Sequence, residues 1–390
     1  MIDRYISEKA KSIVPSITIS MASKVRKMKA QGIDVISLET GEPDFDTPEH
    51  IIDAAYNAMK EGYTHYTDSR GIPELREAIK NKLWKENKIK VDVDEIIVTP
   101  GAKYGIFLTM LATINSGDEV LIPNPGWHSF EACVKAAGGI PVRYPFKMDE
   151  SPLNFESIEN KITHKTKMIL LNYPSNPTGM TLSLDELKHI ADIAEENDLL
   201  ILSDEIYEKI VFDGTKHYSI GSLRKNGVLT LNGFSKTYAM TGWRIGYIAG
   251  DKEIIDQILK LQQHSVTCAC AFAQKAAVSA LLGSQEAVEE MVEEYKRRRV
   301  LLVERLNEIP GMYCPKPQGT FYVFPDISAT GFSSMDLADL LLERAHVSTT
   351  PGKAFGSLGE GHLRLSFATS RENIEKALER MEKAIIRGGK

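Results

Sequence analysis

The chain has 390 residues, of which 43% are hydrophobic and 26% are charged, and its formal net charge is −6. This composition is typical of a folded globular protein with enough apolar surface for two domains, and it excludes a largely disordered chain. The acidic balance argues against a nucleic-acid partner or an anionic membrane surface, since both require a basic face on the protein.

The cysteine and histidine patterns give no support for a metal site. The four cysteines, Cys133, Cys268, Cys270 and Cys314, form no Cys-x-x-Cys pair, and the nine histidines form no His-Glu-x-x-His motif. No apolar run approaches the ~18 residues that span a bilayer, and the first residues lack the apolar stretch of a secretory signal. We therefore expect a cytoplasmic protein without a metal ion.

Two loops near the start of the chain could contact a ligand. Gly41 follows the strand-like run 35–38, and a glycine there lets the backbone approach a ligand closely. The polar and aromatic loop 63–71 contains Tyr66 and Arg70, and an ordinary loop between two helices is its simplest interpretation.

A strand, a turn and a helix follow in residues 96–111. The turn contains Gly101, Ala102 and Lys103, and this arrangement aims free backbone N–H groups and the positive end of the helix at an anion. A single glycine is a weak phosphate signal when it stands alone.

Apolar strands then alternate with helices as far as residue 231. This pattern predicts an α/β protein with an open, mostly parallel sheet, whose ligand should lie outside the carboxyl ends of the strands. Residues 172–179, 203–207 and 232–236 each directly follow a predicted strand, so we expect them to meet at one edge of the sheet.

The last third of the chain has a different pattern. It is helical beyond residue 251, and from residue 312 short strands and helices predict a smaller α+β unit. The basic run Lys296 to Arg299 follows several glutamates, which favours a solvated helix face with ion pairs.

Lys236 is the first candidate for a nucleophile. It stands in the segment Leu231-Asn232-Gly233-Phe234-Ser235-Lys236, directly after a strand-like run, and Arg244 follows eight positions later. A lysine amine serves covalent chemistry when desolvation or a nearby cation lowers its pKa. The alternative is a surface lysine on a loop.

Read with its flanks, this segment resembles the Schiff-base lysine motif of the class I aminotransferases, which are pyridoxal phosphate (PLP) enzymes of the aspartate aminotransferase fold. Three further segments resemble signatures of that family, in the same order along the chain: Asn176-Pro177-Thr178-Gly179, Asp204-Glu205-Ile206-Tyr207 and Arg364-Leu365-Ser366. The resemblance implies PLP fold type I, with a large domain over residues 45–285 and a discontinuous small domain from residues 1–44 plus 286–390. It also implies a homodimer that shares its active sites.

The resemblance implies a role for each motif residue. Lys236 would bind the cofactor covalently and move the substrate proton, and Asp204 would face the pyridine nitrogen. Tyr207 and Asn176 would donate hydrogen bonds to the phenolic oxygen of the cofactor. Each residue also has a simpler interpretation that does not depend on the resemblance. Asp204 would be a helix N-cap, Tyr207 a core tyrosine and Asn176 part of an Asn-Pro turn.

The remaining implied contacts fall into two groups. The cofactor-binding set adds the ring-stacking Trp127 and the phosphate ligands Gly101, Ala102, Lys103, Ser235, Arg244 and, from the neighbouring subunit, Tyr66. The substrate-binding set is Gly41, Trp127, Asn176 and Arg364, with the planar guanidinium of Arg364 on the α-carboxylate. Some members of the family have a hydroxyl three residues before the lysine, where this chain has Gly233.

We therefore expect an aminotransferase that moves an amino group between an L-amino acid, with aspartate or an aromatic residue favoured, and a 2-oxo acid such as 2-oxoglutarate. A PLP-dependent lyase or decarboxylase and a PLP-binding regulatory module are the alternatives. An acidic substrate requires a second cation for its distal carboxylate. Arg70 is one candidate, and a loop arginine paired with Asp68 is its simpler interpretation.

Overall fold

The computed structural model of the protein describes residues 3–148 and 152–388. Its helices are α1 (Glu8–Ser12), α2 (Ile17–Ala30), α3 (Glu49–Lys60), α4 (Pro73–Lys82), α5 (Ala102–Thr113), α6 (His128–Ala137), α7 (Phe155–Glu159), α8 (Leu184–Glu196), α9 (Lys252–Gln263), α10 (Ala271–Leu282), α11 (Glu286–Glu308), α12 (Ser334–Leu340) and α13 (Arg371–Gly388). Its strands are β1 (Ile36–Ser37), β2 (Ile96–Thr99), β3 (Glu119–Asn124), β4 (Ile140–Pro145), β5 (Thr166–Asn172), β6 (Leu200–Asp204), β7 (Val228–Gly233), β8 (Gly246–Ala249), β9 (Tyr322–Val323), β10 (Val347–Ser348), β11 (Thr350–Pro351) and β12 (Leu363–Ser366). Within the described ranges, no helix is both long enough and apolar enough to cross a bilayer.

A seven-stranded sheet forms the centre of the molecule, with strand order β2-β8-β7-β6-β5-β3-β4. Strands β4, β3, β5, β6 and β7 run parallel, and β8 runs antiparallel to both of its neighbours. The predicted α/β class with a mostly parallel sheet is confirmed. The sequence patterns did not identify β8, which follows the lysine segment after a short loop.

Both faces of this sheet are covered, which explains why its strands are apolar throughout. In β3, Val120 packs on the side of α5 and α6, whereas Leu121 packs with β4 and α8 on the opposite side. Residues that alternate along a strand point to opposite faces, so a strand buried on both sides needs apolar residues at every position. The helices therefore leave only the ends of the strands accessible to a ligand.

A second core lies beside the carboxyl edge of the large sheet. It combines α11, α12 and α13 with an antiparallel sheet of order β11-β12-β9, and β1 pairs with β10. Ile206 and Tyr207, which follow β6, pack into this core as well. The residues after β6 thus connect the two parts of the molecule, while the division at residues 45 and 285 stays a prediction.

The basic run at residues 296–299 differs from its predicted solvated state. Arg298 is buried and pairs with Asp44 and Glu294, and Arg299 is 1% exposed and pairs with Asp213. The expectation of a solvated face was wrong for these two arginines, because Asp44 and Asp213, which are distant in sequence, supply carboxylates in addition to the neighbouring Glu294. Arg298 thereby ties α11 to the loop that follows Gly41.

Candidate active site

The three polar segments that follow β5, β6 and β7 meet at one edge of the large sheet. Asn172 lies opposite Asp204, and Asp204 lies opposite Leu231, in the register of the parallel strands. A cavity of about 670 Å³ opens there, within the size range of small-molecule sites. Eleven of the predicted site residues line it: Gly41, Ala102, Lys103, Trp127, Asn176, Asp204, Tyr207, Ser235, Lys236, Arg244 and Arg364.

Lys236 lines this cavity just beyond the end of β7. Its ammonium donates a hydrogen bond to the backbone carbonyl of Gly41, which also lines the cavity. Desolvation lowers the pKa of Lys236 to about 8, and the nearby Arg364 and Arg244 act in the same direction while Glu42 opposes them. A larger share of neutral amine at neutral pH makes Lys236 a better nucleophile and base.

Asp204 is a buried carboxylate at the end of β6, with 3% of its surface exposed. One oxygen accepts a hydrogen bond from the backbone N–H of Ile206, and among the described residues no cation lies within ion-pair distance. Burial is the main reason that the pKa of Asp204 rises to about 7. A buried carboxylate in this state would be stabilised by a cationic N–H group in the cavity.

Arg364, in β12, is a buried cation with no carboxylate partner in the described part of the chain. Its guanidinium donates to Asn176 Oδ1 at 2.9 Å and to the backbone carbonyl of Glu39 at 2.7 Å, while its Nε has no partner among the described residues. Because the guanidinium can only donate, it faces the amide oxygen of Asn176 and leaves the Asn176 NH₂ group free to donate elsewhere. The arrangement fits an anionic ligand on Arg364.

One end of the cavity is built to hold an anion. Arg244 donates to the backbone carbonyl of Thr241 and has no carboxylate partner among the described residues. Its guanidinium lies against Gly101, where an added Cβ would be 2.5 Å from Arg244 Nη2, and the φ of 84° at Gly101 also favours glycine. The first N–H groups of α5 lack partners within the helix, so they and Ser235 add donors at this end.

Trp127 and Lys103 form the wall beside this anion site. The Lys103 ammonium lies 4.7 Å from the centroid of the Trp127 ring, and that ring packs against Phe130 in a T-shaped arrangement. A flat aromatic face supported in this way can stack on a planar ligand.

Two residues of the loop 63–71 lie outside the cavity. Tyr66 is 84% exposed and does not line it. The Arg70 guanidinium pairs with Asp256 and donates to the backbone carbonyl of Asp94, and only the Arg70 backbone bonds the Asp68 side chain. The candidate Arg70 is therefore held by partners in its own chain, and the alternative of an ion pair with Asp68 is wrong, since its ionic partner is Asp256.

Several cavity residues were missed from the sequence. Tyr322 lies within an apolar strand, where no spacing or motif distinguished it from a core residue. A further set comes from α2 and the segment after β1, namely Thr18, Ile19, Ala22, Arg26, Lys29 and Glu39. A helical pattern alone does not say which face of α2 covers a site.

Behind Asp204 lies a second buried group of titratable side chains, Glu205, Glu208 and His217, whose ligand atoms fall within 4.8 Å of one another. Glu205 already accepts from His217 and from nearby hydroxyl groups, and Glu208 pairs with Lys82. Because the carboxylate oxygens of Glu205 and Glu208 already accept hydrogen bonds from protein donors, we interpret the group as an internal polar network rather than a metal site.

Comparison with known proteins identifies the family. The model for "Aminotransferase class I and II" matches residues 33–381. The chain belongs to this aminotransferase family. It is 43% identical to an aspartate aminotransferase of Bacillus sp. (strain YM-2), over 97% of this chain and 99% of the relative. It is also 45% identical to an aromatic-amino-acid aminotransferase 2 of Thermococcus litoralis, over 93% of this chain and 95% of the relative.

Solved structures of aminotransferases have the same fold. The aspartate aminotransferase of Thermus thermophilus with maleate superposes with a TM-score of 0.94 at 40% identity, over 97% of this chain and 99% of the other. The predicted family, fold type and enzymatic nature are thus confirmed, and with them PLP as the cofactor. A role as a PLP-binding regulatory module has no support in these relatives.

The cavity of this aminotransferase fits PLP at each of its chemical groups. The Arg244 end offers donors for a phosphate, and Trp127 offers a flat face for the ring. Asp204, buried and without a cation among the described residues, suits a protonated ring nitrogen, and Lys236 suits the aldehyde carbon. Each of these properties is visible in the protein alone.

Proposed function

We propose that this aminotransferase moves an amino group between an L-amino acid, with aspartate or an aromatic amino acid favoured, and a 2-oxo acid such as 2-oxoglutarate. The observation that carries the proposal is Arg364, a buried guanidinium that lines the same cavity as Lys236 and has no carboxylate partner among the described residues. The α-carboxylate of an amino acid would pair with this guanidinium by accepting two parallel hydrogen bonds from it. The names of the relatives, aspartate and aromatic-amino-acid aminotransferases, support both substrate classes.

The cofactor supplies an electron sink next to the substrate Cα, and the protein supplies binding, orientation and proton transfer. We assign the phosphate to Arg244, Ser235 and the first turn of α5, and the ring to Trp127. Arg364 holds the substrate α-carboxylate beside Gly41, so that the Cα–H bond faces Lys236. The Lys236 amine then takes that proton as base and returns it as acid.

A panel of amino acids with 2-oxoglutarate as the acceptor tests this function. We expect formation of glutamate together with the 2-oxo acid of the donor, measured by product detection, with the highest kcat/KM for aspartate or for an aromatic amino acid. A lyase or a decarboxylase would instead release ammonia or carbon dioxide without forming glutamate. That result would overturn the proposal.

Lys103 is our candidate for the cation that meets a distal carboxylate, in place of Arg70. It lines the cavity and has no carboxylate within ion-pair distance among the described residues, whereas Arg364 and Arg244 have other proposed ligands. We expect Lys103→Met to lower kcat/KM for aspartate by about 10- to 1,000-fold, the value of a charge-assisted pair, and to change the value for phenylalanine far less.

Arg26→Met is the matched control for Lys103→Met, since Arg26 is an exposed cation of α2 on the same cavity. The control should affect both substrates little. An aspartate-selective loss in Arg26→Met would move the role to α2. Equal losses for both substrates in Lys103→Met would instead support its predicted place among the phosphate ligands.

The exposed surface supports a homodimer. Ile52, Tyr56 and Met59 lie on one face of α3 at helical spacing and are 44%, 52% and 41% exposed. An apolar stripe of this kind is typical of a protein interface. We propose that a second copy covers it and that Tyr66, on the loop after α3, reaches the cofactor phosphate of the partner subunit.

The free state of all four cysteines supports a cytoplasmic location.

Subunit mixing tests whether Tyr66 acts across the dimer. Homodimers of Tyr66→Ala should have weakened cofactor binding, and homodimers of Lys236→Ala should be inactive. A heterodimer of the two has one complete site, with Lys236 from one chain and Tyr66 from the other, so mixing should restore up to half of the wild-type activity per dimer. Unchanged activity after proven subunit exchange would show that Tyr66 serves its own chain or none.

A further inference from the structure

We propose that Tyr322 fixes the direction in which Tyr207 donates its hydrogen bond and couples that donation to the ligand on Arg364. This inference rests on the proposed function, in which Tyr207 donates to the cofactor and Arg364 holds the substrate. Tyr322 belongs to β9, is 1% exposed and lines the cavity together with the other two residues.

The two tyrosine hydroxyl groups are in direct contact. The Tyr207 and Tyr322 oxygens lie 3.0 Å apart, and either can be the donor. A hydroxyl group has only one proton to donate. If Tyr322 donates to Tyr207, the proton of Tyr207 remains for an anionic oxygen in the cavity. With the opposite direction, Tyr207 would present only lone pairs to that oxygen, and it could not stabilise a negative charge there.

Arg364 determines which direction prevails. Its Cζ atom lies 4.3 Å from the centroid of the Tyr322 ring, so the positive charge stabilises electron density on that phenol. Burial raises the pKa of both tyrosines, and the charge of Arg364 opposes it at both, as the second-largest influence at Tyr322 and a lesser one at Tyr207. The more acidic hydroxyl group is the better donor, so Tyr322 donates and Tyr207 accepts.

This chain of contacts links the substrate site to the cofactor site. A carboxylate on Arg364 offsets part of the guanidinium charge, which makes Tyr322 less acidic and a weaker donor to Tyr207. The donation from Tyr207 into the cavity weakens in turn, because neighbouring hydrogen bonds polarise one another. Tyr322 is therefore a positioning residue, and Asn176, which also contacts Arg364, provides a separate route.

The test is Tyr322→Phe, which removes only the hydroxyl group. The measurement is the pH titration of the visible absorbance of the PLP-loaded protein without substrate. We expect the pKa of this transition to rise by about 0.3 to 1 unit, as for the weakening of one hydrogen bond, since less charge on the cofactor oxygen is stabilised. Tyr295→Phe is the matched control, because its ring packs on Phe321 in the same cluster but does not line the cavity.

A second measurement tests the coupling to Arg364. Saturation with maleate, a dicarboxylate without an amino group, should raise the same pKa in the wild type and raise it less in Tyr322→Phe. Equal maleate shifts in the two proteins, or an unchanged pKa without maleate, would overturn the inference. Unaltered thermal unfolding shows that the variant is folded.

Tyr207→Phe distinguishes a failure of this inference from a failure of the proposed function. A raised pKa in Tyr207→Phe, with none in Tyr322→Phe, would overturn the coupling while the role of Tyr207 stands. No change in either variant would remove the proposed role of Tyr207 and the inference with it.

Discussion

Replacement of Lys236 by alanine should abolish transamination, with a loss in kcat of at least about 10,000-fold, because nucleophile and proton carrier are lost together. The lysine lines the cavity, and its lowered pKa increases the share of neutral amine. The purified wild type should be yellow, and borohydride should remove the colour and attach the cofactor covalently to Lys236. The measurement is steady-state activity with the best donor of the panel, together with peptide mapping of the reduced protein.

Two comparisons make the Lys236 result specific. Lys236→Arg keeps the positive charge without a usable base and should be as inactive as Lys236→Ala. A small amine added to Lys236→Ala should restore part of the proton transfer, because the missing base returns in solution. The variant should still bind some PLP through Arg244 and Ser235. Turnover near the wild-type level in Lys236→Ala would refute the mechanism.

Asp204→Ala should lower kcat/KM by orders of magnitude, about 100- to 10,000-fold, because a charge at the ring nitrogen keeps the cofactor electron-withdrawing. Asp204→Glu should retain part of the activity, and Asp204→Asn, which has nearly the same shape without the charge, should resemble Asp204→Ala. Equal activity in Asp204→Ala and Asp204→Glu would refute the assignment.

Stability without PLP gives an independent test of Asp204. Its pKa in the folded chain is about 7, above the usual value of 3.8, so the fold favours the protonated form. Stability of the apo-protein is therefore lost as the pH rises from about 4 to 7, and the loss is constant above that range. At pH 8, the free energy of unfolding of Asp204→Asn should exceed that of the wild type by roughly 2–4 kcal/mol, since one unit of pKa difference between the folded and unfolded states corresponds to about 1.4 kcal/mol. Below about pH 4 the two proteins should be equally stable. Urea unfolding measures the difference, and bound PLP should reduce it.

The sequence predicted the sheet and the edge that carries the site because both depend on local patterns. Apolar strands buried on two faces are visible as runs, and the polar residues after β5, β6 and β7 stand where each run ends. The helix α8 (Leu184–Glu196) also has a local signal, because Ser183 and Glu186 form a capping box at its start.

Features that depend on distant partners could not be predicted in this way. The short strand β8 lies between β7 and β2, of which β2 is far away in sequence, and the four residues of β8 are too few to show a periodic pattern. Thr47 is a residue type that commonly caps helices and precedes α3, but its hydroxyl donates to the backbone carbonyl of Ala239, and Pro48 takes the cap position. Arg70 is similar, since its partner Asp256 is nearly two hundred residues away.

The cavity has two walls of different construction, and this has a consequence for protein engineering. The inner wall is built from strand ends and close backbone contacts, and at Gly246 an added Cβ would lie 2.5 Å from the backbone nitrogen of Ala102. Thr18, Ile19 and Ala22 of the outer wall belong to a single helix, α2, whose side chains at these positions are not fully buried. A combinatorial library at these three positions should therefore yield mostly folded proteins with altered substrate range, whereas a library at Gly101 and Gly246 should yield few that fold.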